Sequence, residues 1–186
     1  MAKIKHTKNE LKAQRDALAR YERFLPMLQL KKQQLQMEIQ QLDVRLAERT
    51  ERQLRQQEAL SSWVGVLAGA DDMGKGVWLE RVVLEPGNIA GVSIPLFKDA
   101  GVKRKDVDLF DTPTWVDDAI QALEVLIRLH VEREILLEQR RLIAEELRTT
   151  SQRVNLFDLV KIPECRENIR VIKIFLGDEQ TASVVR

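Results

Sequence analysis

Several common routes to function are closed by what this chain lacks. It has a single cysteine, Cys165, so no intramolecular disulfide can form, and the thiol economy points to a reducing compartment. Glycine is scarce, eight in 186 residues with none before Gly65, so the first third of the chain has no tight turns of the glycine kind. Aromatics make up 5% against 32% charged residues, a balance that suits much surface and little core. Charge of one sign is also missing: 30 Lys and Arg offset 29 Asp and Glu, so no global field draws nucleic acid or anionic lipid. No apolar run approaches the ~18 residues that cross a bilayer, and the opening MAKIKHTKNE lacks the apolar stretch of a signal peptide. The expectation is a cytoplasmic protein with no direct membrane insertion.

What is present is periodicity. Leu18, Tyr21, Leu25, Leu28, Leu35, Ile39, Leu42 and Leu46 recur at steps of three and four, interrupted where Lys32 takes the slot between Leu28 and Leu35. That spacing puts them on one narrow seam of an α-helix facing a partner helix. Thr7 with Glu10 three residues on predicts a capping box at the start. A helix from Thr7 to Leu60 would be roughly 80 Å long at ~1.5 Å per residue. Pro26 interrupts the hydrogen bonding but not the spacing, which predicts a bend rather than an end.

The middle changes character. Val77 to Leu84 and Ile89 to Ile94 are β-branched and apolar, and Glu85-Pro86-Gly87-Asn88 between them reads as a type II turn. A β-hairpin follows from this, with Pro95 closing its second strand and a polar loop from Lys98 to Asp111. Thr112-Pro113 then opens a second long helix, whose stripe includes Leu126, Leu129, Leu136, Ile143 and Leu147 and runs on through Val154 and Phe157. Pro163 predicts a bend or short break, after which Ile169, Ile172, Phe175 and Leu176 continue the stripe. The fold class is all-α: a long antiparallel two-helix coiled coil with a small β-hairpin insert. Its parts are an N-terminal long helix over 1–68, a connector with the hairpin over 69–111 and a C-terminal long helix over 112–186, bent near 163. Two arms of similar length satisfy each other's seams, which favours this intramolecular pairing over a parallel homodimer.

Candidate chemistry is thin. Gly69 to Gly76 has the glycine, four residues, glycine, lysine spacing of a phosphate-binding loop, but Gly76 stands where a hydroxyl should hold magnesium. A helix precedes it and a strand follows, the reverse of the working order, and Asp71 and Asp72 would repel phosphate. His6 and His130 have no ligand partners at metal-binding spacing. Cys165 lies in the polar run Pro163 to Glu167 and is expected to be an exposed spectator. Glu145-Glu146 reads as solvated surface with ion pairs. The basic clusters Lys3, Lys5, Lys8 and Lys12 and Arg140-Arg141 have no interleaved aromatics and read as soluble helix surface rather than a nucleic-acid contact. No catalytic constellation, cofactor site or metal site emerges, and no nucleic-acid partner.

Two blocks carry a resemblance. Thr7-Lys8-Asn9-Glu10-Leu11 and Leu28-Gln29-Leu30-Lys31-Lys32-Gln33-Gln34-Leu35 resemble the first helix of the D subunit of V-type (A/V-type) ATPases and ATP synthases. Thr150-Ser151-Gln152-Arg153-Val154-Asn155-Leu156-Phe157, Ile162-Pro163-Glu164, Ile169-Arg170-Val171-Ile172-Lys173 and Phe175-Leu176 are similar to that family's C-terminal signature. Pro26 and the glutamine-rich run from Gln33 to Gln41 depart from its lysine-rich pattern.

The resemblance implies a non-catalytic rotor shaft in the central stalk, coupling ATP hydrolysis or synthesis to ion translocation. It implies catalytic and regulatory ATPase subunits (A and B) around the termini, a small stalk subunit (F), and an adaptor (C/d) on the membrane ring. Lys3, Lys5, Arg166, Arg170 and Lys173 are the expected contacts with the hexamer, and Val184 and Val185 are expected to enter the dry part of its cavity. The hairpin is expected to influence the hydrolysis rate. The competing reading, an adaptor coiled coil unrelated to a rotary ATPase, accounts for the heptads but leaves the Arg153-Val154-Asn155 and Ile162-Pro163 block unexplained.

Overall fold

The computed structural model of the chain describes residues 5–61, 77–104 and 115–184. The glycine loop over 69–76, the Thr112-Pro113 cap, Lys3 and Val185 lie outside them, as does the side chain of Val184. Helix α1 spans Lys8–Ser61 and α2 spans Trp115–Asn155; a π-helical segment, Leu156–Lys161, leads into α3, Ile162–Val184. Strands β1, Val77–Ile89, and β2, Val92–Arg104, form a two-stranded antiparallel ribbon. The residues group into two compact units, one of Met1–Gln36 with Glu146–Arg186, the other of Met37–Glu145.

Helix α1 starts where Thr7 can cap it. The Thr7 hydroxyl accepts the Glu10 amide at 3.2 Å, and the Leu11 amide closes the first turn on the Thr7 carbonyl at 2.9 Å. The reciprocal half of the expected capping box is replaced: the Thr7 amide donates to the Lys5 carbonyl, and the Glu10 carboxylate instead accepts from Gln14 one turn on. The helix continues unbroken through Pro26.

In the first unit the two helical segments run antiparallel. Lys31 meets Glu146, Tyr21 meets Phe157 and Gln14 meets Asn168, so the partner's number rises as that on α1 falls. Leu35, Thr150, Val154, Ile162, Cys165 and Ile172 are buried there. The second unit repeats the antiparallel sense, with Asp43 against Arg140 and Arg49 against Glu132. Its buried residues include Leu42, Leu129, Leu136 and Ile143, the last with 0% exposure. Leu129, Leu136, Ile143 and Thr150 lie seven residues apart, which is the repeat of a helix-pair seam.

The ribbon departs from the sequence expectation. Its turn is Ala90-Gly91, with φ of +50° and +83°, and the Asn88 side chain accepts the Gly91 amide at 3.0 Å. Positive φ at both positions is the two-residue hairpin turn whose twist matches the strands. Glu85 to Asn88, expected to turn, lies in β1, opposite Leu96 to Ser93. The prolines fit because Pro86 pairs with Pro95, three pairs back from the Ile89–Val92 pair that closes the turn. Counting alternate pairs from that closure makes theirs a non-hydrogen-bonded pair, where an amide would point away from the ladder anyway. Pro95 therefore does not end β2, and Lys98 to Arg104 is strand rather than loop. Bulges at Glu80 and Lys98 shift the register once on each strand.

The interruption of the second arm comes earlier than Pro163. The Ile162 amide donates to the Phe157 carbonyl, a five-residue step, and Pro163 sits second in α3, where it withholds one donor from the continuing ladder. The wider π turn accommodates the proline ring, which would otherwise press on the carbonyl of the preceding turn.

Ile143→Ala is expected to lower stability by about 3 kcal/mol, seen as a fall in the urea midpoint, while Leu137→Ala on the exposed side stays within about 0.5 kcal/mol. Equal losses would show that burial along this line is not what holds the second unit together.

Candidate functional surfaces

The residues expected to form the seam fall into two grades of burial. Leu35, Leu42, Leu129, Leu136 and Ile143 are buried; Leu18, Tyr21, Leu25, Leu28, Ile39, Leu46, Leu126 and Leu147 are half-buried. Half burial is what a two-helix pair permits, since each side chain is covered from one side. Lys32 occupies its seam slot half-buried. Beyond Leu46 the same three-four spacing continues through Arg49, Gln53 and Gln56 to Leu60, all half-buried. This polar stretch escapes a search for apolar repeats, although its spacing was there to read. Among its polar atoms, Gln53 Oε1 is buried without a hydrogen-bond partner, and so is Arg133 Nε on α2.

Ion pairs flank the seam. Lys31 pairs with Glu146 at 2.5 Å and Arg166 with Glu22 at 2.8 Å in the first unit. Arg140 pairs with Asp43 at 2.5 Å and Arg49 with Glu132 at 2.8 Å in the second. Others stay on one helix: Arg141 holds Glu138 and Glu145, and Arg170 holds Glu167. The Arg141 guanidinium lowers the Glu138 carboxyl below its usual range, and Arg170 does the same for Glu167, in each case by the hydrogen bond first. Lys31–Glu146 and Arg49–Glu132 are half-buried; the other pairs are solvent-exposed, so each of those adds at most tenths of a kcal/mol.

The ribbon is attached to α2 through β2. Gln139, itself buried, donates from Nε2 to the Pro95 carbonyl at 2.5 Å, and Arg128 reaches Asp99 at 3.5 Å. Ile94 and Ala100 are the buried residues of β2, whereas Trp78, Leu79, Val82, Leu84 and Leu96 are exposed. Lys98 with Glu85 and Lys103 with Glu80 bridge the two strands.

The expected hexamer contacts sit in different settings. Lys5 and Lys173 are exposed, Arg166 is turned to Glu22 across the helix pair, and Arg170 is committed to Glu167 one turn away. His6 packs its ring on Phe175 at 4.7 Å, and His130 is exposed. Cys165 corrects an expectation: it is 5% exposed rather than a surface thiol. Its neighbours in sequence are polar, but Ile162, Cys165, Ile169, Ile172 and Leu176 keep the three-four step, so it is a seam residue. Burial, with Glu164 adding to it, pushes the thiol pKa up. Among the described residues no three metal-ligating side chains gather, and no helix is long and apolar enough to cross a membrane.

These elements define the class as an antiparallel helix-pair protein carrying a β-ribbon in mid-chain. The profile of a family described as the D subunit of ATP synthase matches residues 10–186. The chain is 45% identical to the V-type ATP synthase D subunit of Borreliella burgdorferi, an alignment covering 100% of this chain and 92% of that protein. It is 31% identical to the protein of that name from Chlamydia abortus, over 98% of this chain and 89% of the other, and 32% identical to that of Chlamydia muridarum, over 98% and 92%. The chain belongs to the ATP synthase D-subunit family.

Iodoacetamide is expected to alkylate Cys165 in the folded chain at least ~10-fold more slowly than in the urea-unfolded chain at about pH 8, since the raised pKa leaves less thiolate. Mass-spectrometric time courses would show it, and equal rates would remove Cys165 from the seam.

Proposed function

We propose that this chain is a non-catalytic rotor shaft, the part that turns inside a catalytic hexamer while ATP is made or hydrolysed. Membership in the D-subunit family makes it a central-stalk subunit of a rotary ATPase. The observation that carries the fuller reading is the likeness to V-type ATP synthase D subunits along the whole chain, hairpin included. Two antiparallel helices resist bending better than one, because one must stretch as the other shortens. Exposed ion pairs suit a surface that must not adhere in any single orientation, since each is weak and screened by salt.

The residues Leu18 to Leu46 and Leu126 to Leu147 named above form the coiled-coil seam in this reading. The terminal segments meet the catalytic and regulatory subunits (A and B), with Lys3, Lys5, Arg166, Arg170 and Lys173 as contacts. The small stalk subunit (F) and the membrane-ring adaptor (C/d) take the other part, and the chain is peripheral to the membrane through the complex. The adaptor coiled-coil alternative has no observation in its favour.

Tagging the chain in its own cells and identifying what purifies with it tests the reading. ATPase catalytic subunits and a small stalk subunit are expected in the eluate, and their absence would overturn it. The ribbon is assigned an influence on hydrolysis, supported by its exposed Trp78, Leu79 and Leu84. Because β2 runs to Arg104, the deletion that removes both strands is 77–104. Reassembled complexes that bind this variant are expected to hydrolyse ATP at an altered rate, and an unchanged rate would count against the role.

A further inference from the structure

The geometry points to a compliant joint in the first unit, formed by residues 21–27 of α1 and residues 156–163 opposite them, where the helix pair yields to load. Three weaknesses coincide there. On α1, Pro26 has no N–H to offer the carbonyl of Glu22, so one bond of the helix ladder is missing. On the other strand of the pair, the ladder widens to five-residue steps over Leu156–Lys161, and Pro163 withholds a further donor just beyond. Side-chain burial thins at the same place: the π segment contains no buried residue, and Leu159 is 69% exposed. The nearest buried residues on that strand are Val154 before it and Ile162 after it.

The two backbone defects lie at one level of the pair. The Tyr21 and Phe157 rings meet with centroids 4.9 Å apart, and Glu22, whose carbonyl lost its donor, pairs through its carboxylate with Arg166, three residues past Pro163. That coincidence decides the mechanics. A lone defect in one helix is splinted by an intact partner, because bending must shorten one helix while stretching the other. Defects at one level leave neither helix to splint the other, so the pair bends or twists there first. The joint is a property of the chain itself, and holds whether or not the rotor reading does.

Amide hydrogen exchange of the full chain tests this, with the amides of 36–42 and 143–149 as internal references. Amides of 22–27 and 156–164 are expected to exchange faster than these references by about fivefold or more, the scale of one missing backbone bond. Pro26→Ala restores the donor to Glu22 and is expected to slow exchange of 156–161, on the other helix, about fivefold relative to the references. Pro163→Ala is expected to slow 22–27 likewise. Neither substitution touches a seam side chain. Uniform exchange along both helices would overturn the joint. So would variants whose effect, after normalisation, stays on the substituted helix, since the defects would then be independent.

Discussion

A helix pair has one line along which to exclude water, and the packing within each of the two units follows from that constraint. In a compact domain a helix can bury residues against several neighbours; in a helix pair a seam side chain is covered chiefly by the facing helix. The residues of deepest burial are Leu35, Thr150 and Ile172 in the first unit and Leu42 and Ile143 in the second. The ion pairs on both sides of the line keep the helices soluble and set which charged faces meet, but their exposure limits what they add.

The β-ribbon faces the opposite problem. Two strands alone are marginal in water, and this pair gains support from α2 through the bond from Gln139 to the Pro95 carbonyl and the ion pair of Arg128 with Asp99. The Gln139 bond explains why a glutamine is buried on α2. It also satisfies a carbonyl that would be left without a donor if the ribbon were covered by apolar groups alone.

Much of the architecture was legible because helix pairs write themselves into sequence as a three-four spacing. Thr7 as cap and the antiparallel sense of the arms could be read from spacing, capping chemistry and length. The ribbon's turn could not. Pro86-Gly87 carries the stronger local turn signal, but the tertiary pairing places both prolines where no amide is needed, so Ala90-Gly91 turns instead. Cys165 was misjudged by composition of its neighbours when spacing was the better guide. The π segment had a faint signal: Leu156-Phe157 and Leu159-Val160 are adjacent apolar pairs that no single stripe accommodates. Nothing in spacing or capping chemistry singles out Lys3, Lys5, Arg166, Arg170 or Lys173 from the other charged residues, because this chain's own packing does not select them.

The polar residues set into the seam have a consequence beyond stability. A seven-residue repeat is self-similar, so two such helices can slide by one heptad, about 10 Å at ~1.5 Å per residue, and still match Leu to Leu. Lys32 and Thr150 in one unit, and Arg49, Gln53 and Gln56 in the other, make the seam aperiodic. Any slipped alignment would push a charge or an amide against leucine. A pair that is free to slide converts an applied turn into axial travel, as a screw does. A pair pinned by such marks converts it only into rotation.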